Sequence, residues 1–81
     1  MRYSVTILPT AERDFRRLSS EVARRILRKI EGMRENLAGD VKRLVDFVPP
    51  YRLRVGDWRV LFDIDGTLIL VHRVLHRSQA Y

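Results

Sequence analysis

The chain has 81 residues, 46% of them hydrophobic, which suits one small folded domain spanning 1–81 with a single modest core. It has no cysteine, so a disulfide frame and a thiolate zinc site are both excluded. Sixteen Lys and Arg against ten Asp and Glu leave a formal charge of +6, and only Lys29 and Lys42 among the bases are lysines. An arginine-dominated surface favours a polyanionic partner, nucleic acid ahead of membrane, because guanidinium forks match phosphate oxygens two at a time. The opening "MRYSVTILPTAERD" has no apolar run of signal-peptide length and no segment is long enough to cross a bilayer, so a cytoplasmic protein is expected.

In chain order, "RYSVTIL" alternates Tyr3, Val5 and Ile7 against Arg2, Ser4 and Thr6, the pattern of a half-buried strand. Pro9 ends it and suits the first turn of a helix, in which Ala11, Phe15 and Leu18 recur at helical spacing. Ser19 and Ser20 break that helix and offer an N-cap to the next. Val22, Ile26, Ile30, Met33 and Leu37 then form one stripe, which predicts a helix running towards a Gly39 cap. Its arginines read as a solvated face. "DVKRLVDFVPP" reads as a connector without regular structure, anchored in the core by Leu44 and Phe47. Three strands follow: "YRLRV", "WRVLFDI" and "TLILVHRVLH", joined at Gly56-Asp57 and Asp65-Gly66. The order β-α-α-β-β-β predicts a two-layer α+β domain, with two N-terminal helices on one face of a small, mainly antiparallel sheet.

A Gly56-Asp57 turn pairs Val55 with Trp58, Arg54 with Arg59 and Leu53 with Val60. Alternation then sends Leu53, Val55, Val60 and Phe62 towards the helices, and Arg52, Arg54, Arg59 and Leu61 to the other face. Two unit charges about 7 Å apart repel by about 0.6 kcal/mol in water but by about 2.4 kcal/mol at an effective dielectric near 20. A fully solvated face tolerates that cost, whereas a concave face holding three guanidinium groups calls for an anion, a first hint of a phosphate site. The last strand has two readings. A two-residue Asp65-Gly66 loop sets His72 and His76 on the arginine face and Arg73 against the helices. A three-residue loop instead adds Arg73 and Arg77 to the arginine face, and it is preferred because a buried unpaired arginine costs more than a neutral histidine.

The ending "HRSQAY" gathers His76, Arg77 and Tyr81. Singly, each has a structural explanation; beside the arginine face they suggest chemistry. Asp57, Asp63 and Asp65 look like turn and edge residues with no metal cluster among them, so neither a metal nor a small-molecule cofactor is expected.

"LPTAERDFRRL", "VKRL", "YRLRVGDWRVLFDIDG" and "VLHRSQAY" together resemble the RelE/ParE superfamily of type II toxins, over nearly the whole chain. The resemblance implies the β-α-α-β-β-β fold and a cognate antitoxin that wraps the toxin with a helix and an extended segment. RelE-like members are ribosome-dependent endoribonucleases that enter the A site and cut mRNA; ParE-like members share the fold but poison DNA gyrase and lack the RNase set. By resemblance, Arg59, Arg77 and Tyr81 fall in the catalytic places and Arg52 and Arg54 in RNA-binding ones; His76, from its residue type, is an additional catalytic candidate, and Arg73, from the preferred strand parity, an additional RNA-binding one. This favours a metal-independent mRNA interferase, with a gyrase inhibitor or a non-catalytic RNA- or ribosome-binding module as alternatives. Some RelE-like toxins carry lysines where this chain has Arg52 and Arg54, and arginine does not give up its proton, so Arg52 is unsuited to act as general base. Proton transfer is left open between Tyr81, which can instead stack on a base, and His76, the residue type that changes charge near neutrality. A chain ending at Tyr81 implies that the C-terminal helix of some relatives is missing.

Overall fold

The computed structural model describes all residues from Met1 to Tyr81. A five-stranded mixed sheet has the order β1-β5-β4-β3-β2, formed by β1 (Ser4–Ile7), β2 (Asp40–Arg43), β3 (Tyr51–Val55), β4 (Trp58–Asp65) and β5 (Leu68–His76). β1 runs parallel to β5, and the other pairings are antiparallel. Helices α1 (Pro9–Arg16) and α2 (Ser20–Gly32) form the second layer, and a single turn, α3 (Arg77–Ala80), follows β5. No helix is long and apolar enough to cross a membrane.

Local chemistry explains the helix starts. Pro9 occupies the first turn of α1, where its missing N–H has no helical partner to lose. The Ser19 hydroxyl accepts a hydrogen bond from the Val22 N–H at 3.2 Å and so caps α2. The two helices lay Ala11, Ile26 and Ile30 onto Leu53, Val55, Val60, Phe62, Ile69, Val71 and Val74, all buried in one cluster. Full burial of each large side chain contributes about 1.5–3 kcal/mol. The expected inward set Leu53, Val55, Val60 and Phe62 is therefore observed, and so is the register Val55↔Trp58, Arg54↔Arg59 and Leu53↔Val60. Gly56 supplies the left-handed φ of 59° that this tight turn needs.

Four features differ from the sequence reading. First, α2 stops at Gly32 rather than running on to Leu37. The N-terminal segment captures the chain beyond it: Tyr3 N–H donates to the Arg34 carbonyl and Asn36 N–H to that of Met1, while Asn36 and Leu37 turn left-handed. Second, Asp40–Arg43 is a strand and not irregular connector, because Val41 pairs inward with Leu53 along the free edge of β3. Third, Leu44 and Phe47 are only half-buried outside the core cluster, and the buried residue of that loop is Pro49. Fourth, the β4–β5 turn is Gly66-Thr67, closing Asp65 onto Leu68, and a bulge at His72 then resets the parity. Phe62 faces Val71 but Leu61 faces Arg73, so neither loop reading gives the observed register, although Arg73 does fall on the Leu61 side of the ladder as the three-residue reading expects.

Candidate nucleic-acid interface and active site

On the outer face of the sheet, Arg54 and Arg59 are direct cross-strand partners, and Arg52 lies opposite Leu61 two pairs further along. Each guanidinium is treated differently. Arg52 donates through Nη1 to the Asp40 carbonyl at 2.7 Å and to Asp40 Oδ1 at 3.0 Å, and its side chain is only 13% exposed. Arg59 donates through Nη1 to the carbonyls of Gly56 and Trp58, both at 2.9 Å. Arg54 is exposed and makes no ion pair. The Asp40 carboxyl is held below its ordinary range, first by the hydrogen bond from Arg52, with desolvation opposing, and then by the charges of Arg52, Arg54 and Arg59. Three guanidinium groups thus act in the same direction on one carboxylate.

The carboxy-terminal turn joins this cluster. Arg77 N–H donates to the Asp57 carbonyl at 2.7 Å, and Arg77 Nε lies 3.7 Å from Asp57 Oδ1. Arg59 is tethered to Gly56 and Arg77 to Asp57, so the two residues of a single hairpin turn hold both arginines. Tyr81 lies one helical turn beyond Arg77. It is 62% exposed, with its ring 5.5 Å from Phe47 at an interplanar angle of 71°. α3 is seated against β4 and β5, with Ala80 buried.

Arg73 and His76 lie elsewhere. Arg73 Nε donates to Asp14 Oδ2 at 2.9 Å and Nη2 to Oδ1 at 3.2 Å, so its guanidinium is bound to α1 at the edge of β5. His76 pairs with Trp58 in the β4–β5 ladder, on the helix-facing side, and its ring packs edge-on to the indole at 5.4 Å. Both residues line a cleft of about 430 Å³ whose other walls include Asp14, Arg17, Leu18 and Gln79. Among the expected residues, Arg52, Arg54 and Arg59 share the outer face of β3 and β4, Arg77 shares the Gly56-Asp57 turn with Arg59, and Tyr81 follows Arg77 by one turn, whereas Arg73 is bound by Asp14 and His76 lies on the helix-facing side.

Four partners escaped the sequence reading. Asp40 and Asp57 hold Arg52 and Arg77, Phe47 supports Tyr81, and Asp14 holds Arg73. Only Asp14 left a sequence signal: three residues after Ala11, it places a carboxylate on the buried stripe of α1, where a cationic partner is obligatory. The other three depend on long-range placement of turns.

Residues 5–81 match the family described as the ParE toxin of type II toxin-antitoxin systems. Toxin RelE3 of Methanocaldococcus jannaschii is 29% identical over 95% of this chain and 93% of its own length. The toxin–antitoxin complex RelBE2 from Mycobacterium tuberculosis contains a chain that superposes with a TM-score of 0.82 over 95% of this chain and all of that one, at 24% identity, a likeness of fold. The RelB–RelE complex from Methanococcus jannaschii matches at TM-score 0.73 and 29% identity, over 89% of both chains. The archaeal RelE–RelB complex from Pyrococcus horikoshii OT3 matches at TM-score 0.73 and 25% identity, over 99% of this chain and 100% of that one. With the family match covering all but the first four residues, the chain belongs to the RelE/ParE superfamily of type II toxins.

Proposed function

We propose that this toxin is a ribosome-dependent endoribonuclease that cuts mRNA in the A site, in the cytoplasm where translation occurs. The observation that carries the reading is the tethering of Arg59 and Arg77 to consecutive residues of one turn, with an exposed phenol at Tyr81 one helical turn away. In the proposed reaction the ribose 2′-oxygen attacks the adjacent phosphorus while its proton passes to a base. The bond to the 5′-oxygen breaks, and that oxygen leaves protonated. The products are a 2′,3′-cyclic phosphate and a 5′-hydroxyl end. Arg59 and Arg77 stabilise the added charge on the phosphorane-like transition state, and Arg52 and Arg54 bind the flanking backbone. Tyr81 gives its proton to the departing 5′-oxygen in this scheme and solvent water takes the 2′ proton, since His76 faces away from the arginines. No step calls on a metal.

The matched relatives of known structure are RelB–RelE complexes, which supports a cognate antitoxin as the resting partner of this chain as well. The family match itself is to a ParE toxin, and that supports a second reading, inhibition of DNA gyrase. Primer extension on a translated mRNA after induction separates the two. Cleavage within codons, with cyclic-phosphate ends, is the expected result, whereas intact mRNA with DNA-damage signalling establishes the gyrase reading. Binding of RNA with steep salt dependence but without cleavage establishes a non-catalytic module. Arg59→Ala, Arg77→Ala and Tyr81→Phe should each relieve growth arrest and lower the cleavage rate by about 10²–10³-fold, while antitoxin binding persists. Full toxicity in all three refutes the proposal.

A further inference from the structure

We infer that His76 is a positioning residue, which caps α3 and thereby fixes Arg77 and Tyr81, and that it does not itself exchange the proton. The functional consequence rests on the endoribonuclease reading; the structural part stands independently of it. His76 has the extended backbone of an N-cap, with φ −66° and ψ 147°, and its Nδ1 accepts the Ser78 N–H at 3.3 Å. The Ser78 hydroxyl lies 3.0 Å from the same nitrogen. A ring nitrogen at the N-cap that accepts the Ser78 N–H satisfies one of the backbone donors that the first turn of a helix leaves free.

The ring is also braced from the side. It stands edge-on to Trp58 at 5.4 Å and 89°, on the helix-facing side of the sheet. Trp58 pairs with His76, whereas its neighbour Arg59 points to the opposite side, so the imidazole and the arginine cluster are separated by the sheet itself. A four-residue turn cannot persist on its own hydrogen bonds. α3 is held at His76 by its cap, at Arg77 by the Asp57 carbonyl, at Ala80 by burial and at Tyr81 by Phe47. The cap is the restraint nearest the start of the turn, immediately before Arg77.

Two substitutions divide the possible roles. His76→Asn keeps an N-cap acceptor but has no titrating ring. His76→Phe keeps an aromatic ring beside Trp58 but has no acceptor. In the purified toxin, Ser78 amide exchange followed by NMR should accelerate about fivefold or more in His76→Phe and stay within about twofold of wild type in His76→Asn, the scale set by the loss of a helix cap. Cleavage of translated mRNA should follow the same order, falling about fivefold or more in His76→Phe and being largely retained in His76→Asn. Equal loss of cleavage in both variants overturns the inference in favour of proton transfer by the ring. Unchanged Ser78 exchange in His76→Phe overturns it as well. Arg77→Ala in the same cleavage assay is the separate test of the endoribonuclease reading: if that variant cuts like wild type, the reading falls, while the exchange data still decide the cap.

Discussion

Asp14→Ala probes how the edge of β5 is closed. β1 ends at Ile7, opposite Val71, so the N–H of Val74 has no strand partner on that side. Asp14 takes its place: Oδ2 accepts the Val74 N–H at 2.9 Å and Arg73 Nε at 2.9 Å. Burial alone pushes this carboxyl up. The hydrogen bonds from Arg73 and Val74, with the charges of Arg73 and Arg17, outweigh burial and hold it below its ordinary value. Removing the carboxylate strands the buried Val74 N–H, at a cost of about 1–3 kcal/mol. The ion pair adds only about 0.5–1 kcal/mol, because the Arg73 side chain is 45% exposed and water resolvates it. The total, about 1.5–4 kcal/mol, lowers Tm by roughly 6–30 °C in a domain of this size. Asp14→Asn, which keeps one acceptor, should lose about half as much. The pH dependence has a definite sign. A depressed carboxyl stabilises fully above its unfolded value of about 3.9, and that stabilisation is lost as pH falls through the lower folded value. Urea unfolding of wild type and Asp14→Asn at pH 7 and at about pH 2.5 should show the gap between them narrowing in acid. A change below about 0.5 kcal/mol for Asp14→Ala at pH 7, or a gap independent of pH, refutes this account of the edge.

Two further substitutions test the turn and the arginine face. Gly56→Ala places an L-residue at φ 59° and a Cβ 2.6 Å from Arg25 Nη2; the guanidinium moves aside cheaply, so the backbone term remains, and the urea midpoint should fall by the equivalent of about 1–2 kcal/mol. Arg54→Ala should weaken single-stranded RNA binding about equally for all sequences and reduce the slope of log K against log salt by about 0.7, measured by fluorescence titration.

The inward face of the sheet was legible because strict alternation in "YRLRV" and "WRVLFDI", with Gly56 between them, allows only one register. The helix starts were legible for the same local reason: Pro9 and Ser19 act within their own turns. β2 was not, because an edge strand of four residues with Asp40 and Lys42 outward carries a single inward apolar signal, Val41. The bulge at His72 was invisible as well, since an extra residue in one strand exists only relative to its partner. That one insertion decided the fate of Arg73 and His76. The convergence of Arg59 and Arg77 on one turn likewise depends on where β5 ends, which no local pattern encodes.

The like charge on the outer face has a cost and, under the proposed function, a use, and both arise from the same electrostatic energy. Directly opposed Arg54 and Arg59 destabilise the β3–β4 pair. The fold relieves this with oxygen acceptors, not with full neutralisation: Asp40 for Arg52, and the Gly56 and Trp58 carbonyls for one nitrogen of Arg59. Arg59 Nε and Nη2 make no hydrogen bond within the chain, and Arg54 makes none at all, so donors stay available to an incoming phosphate. A phosphodiester bound there would remove the repulsion that the free protein retains. Stability and affinity should therefore move in opposite directions when Arg54 is removed: Arg54→Ala keeps or gains resistance to urea as it loses RNA. A face whose arginines were merely solvated decoration would show neither effect, and one whose arginines held the fold together would lose both properties at once.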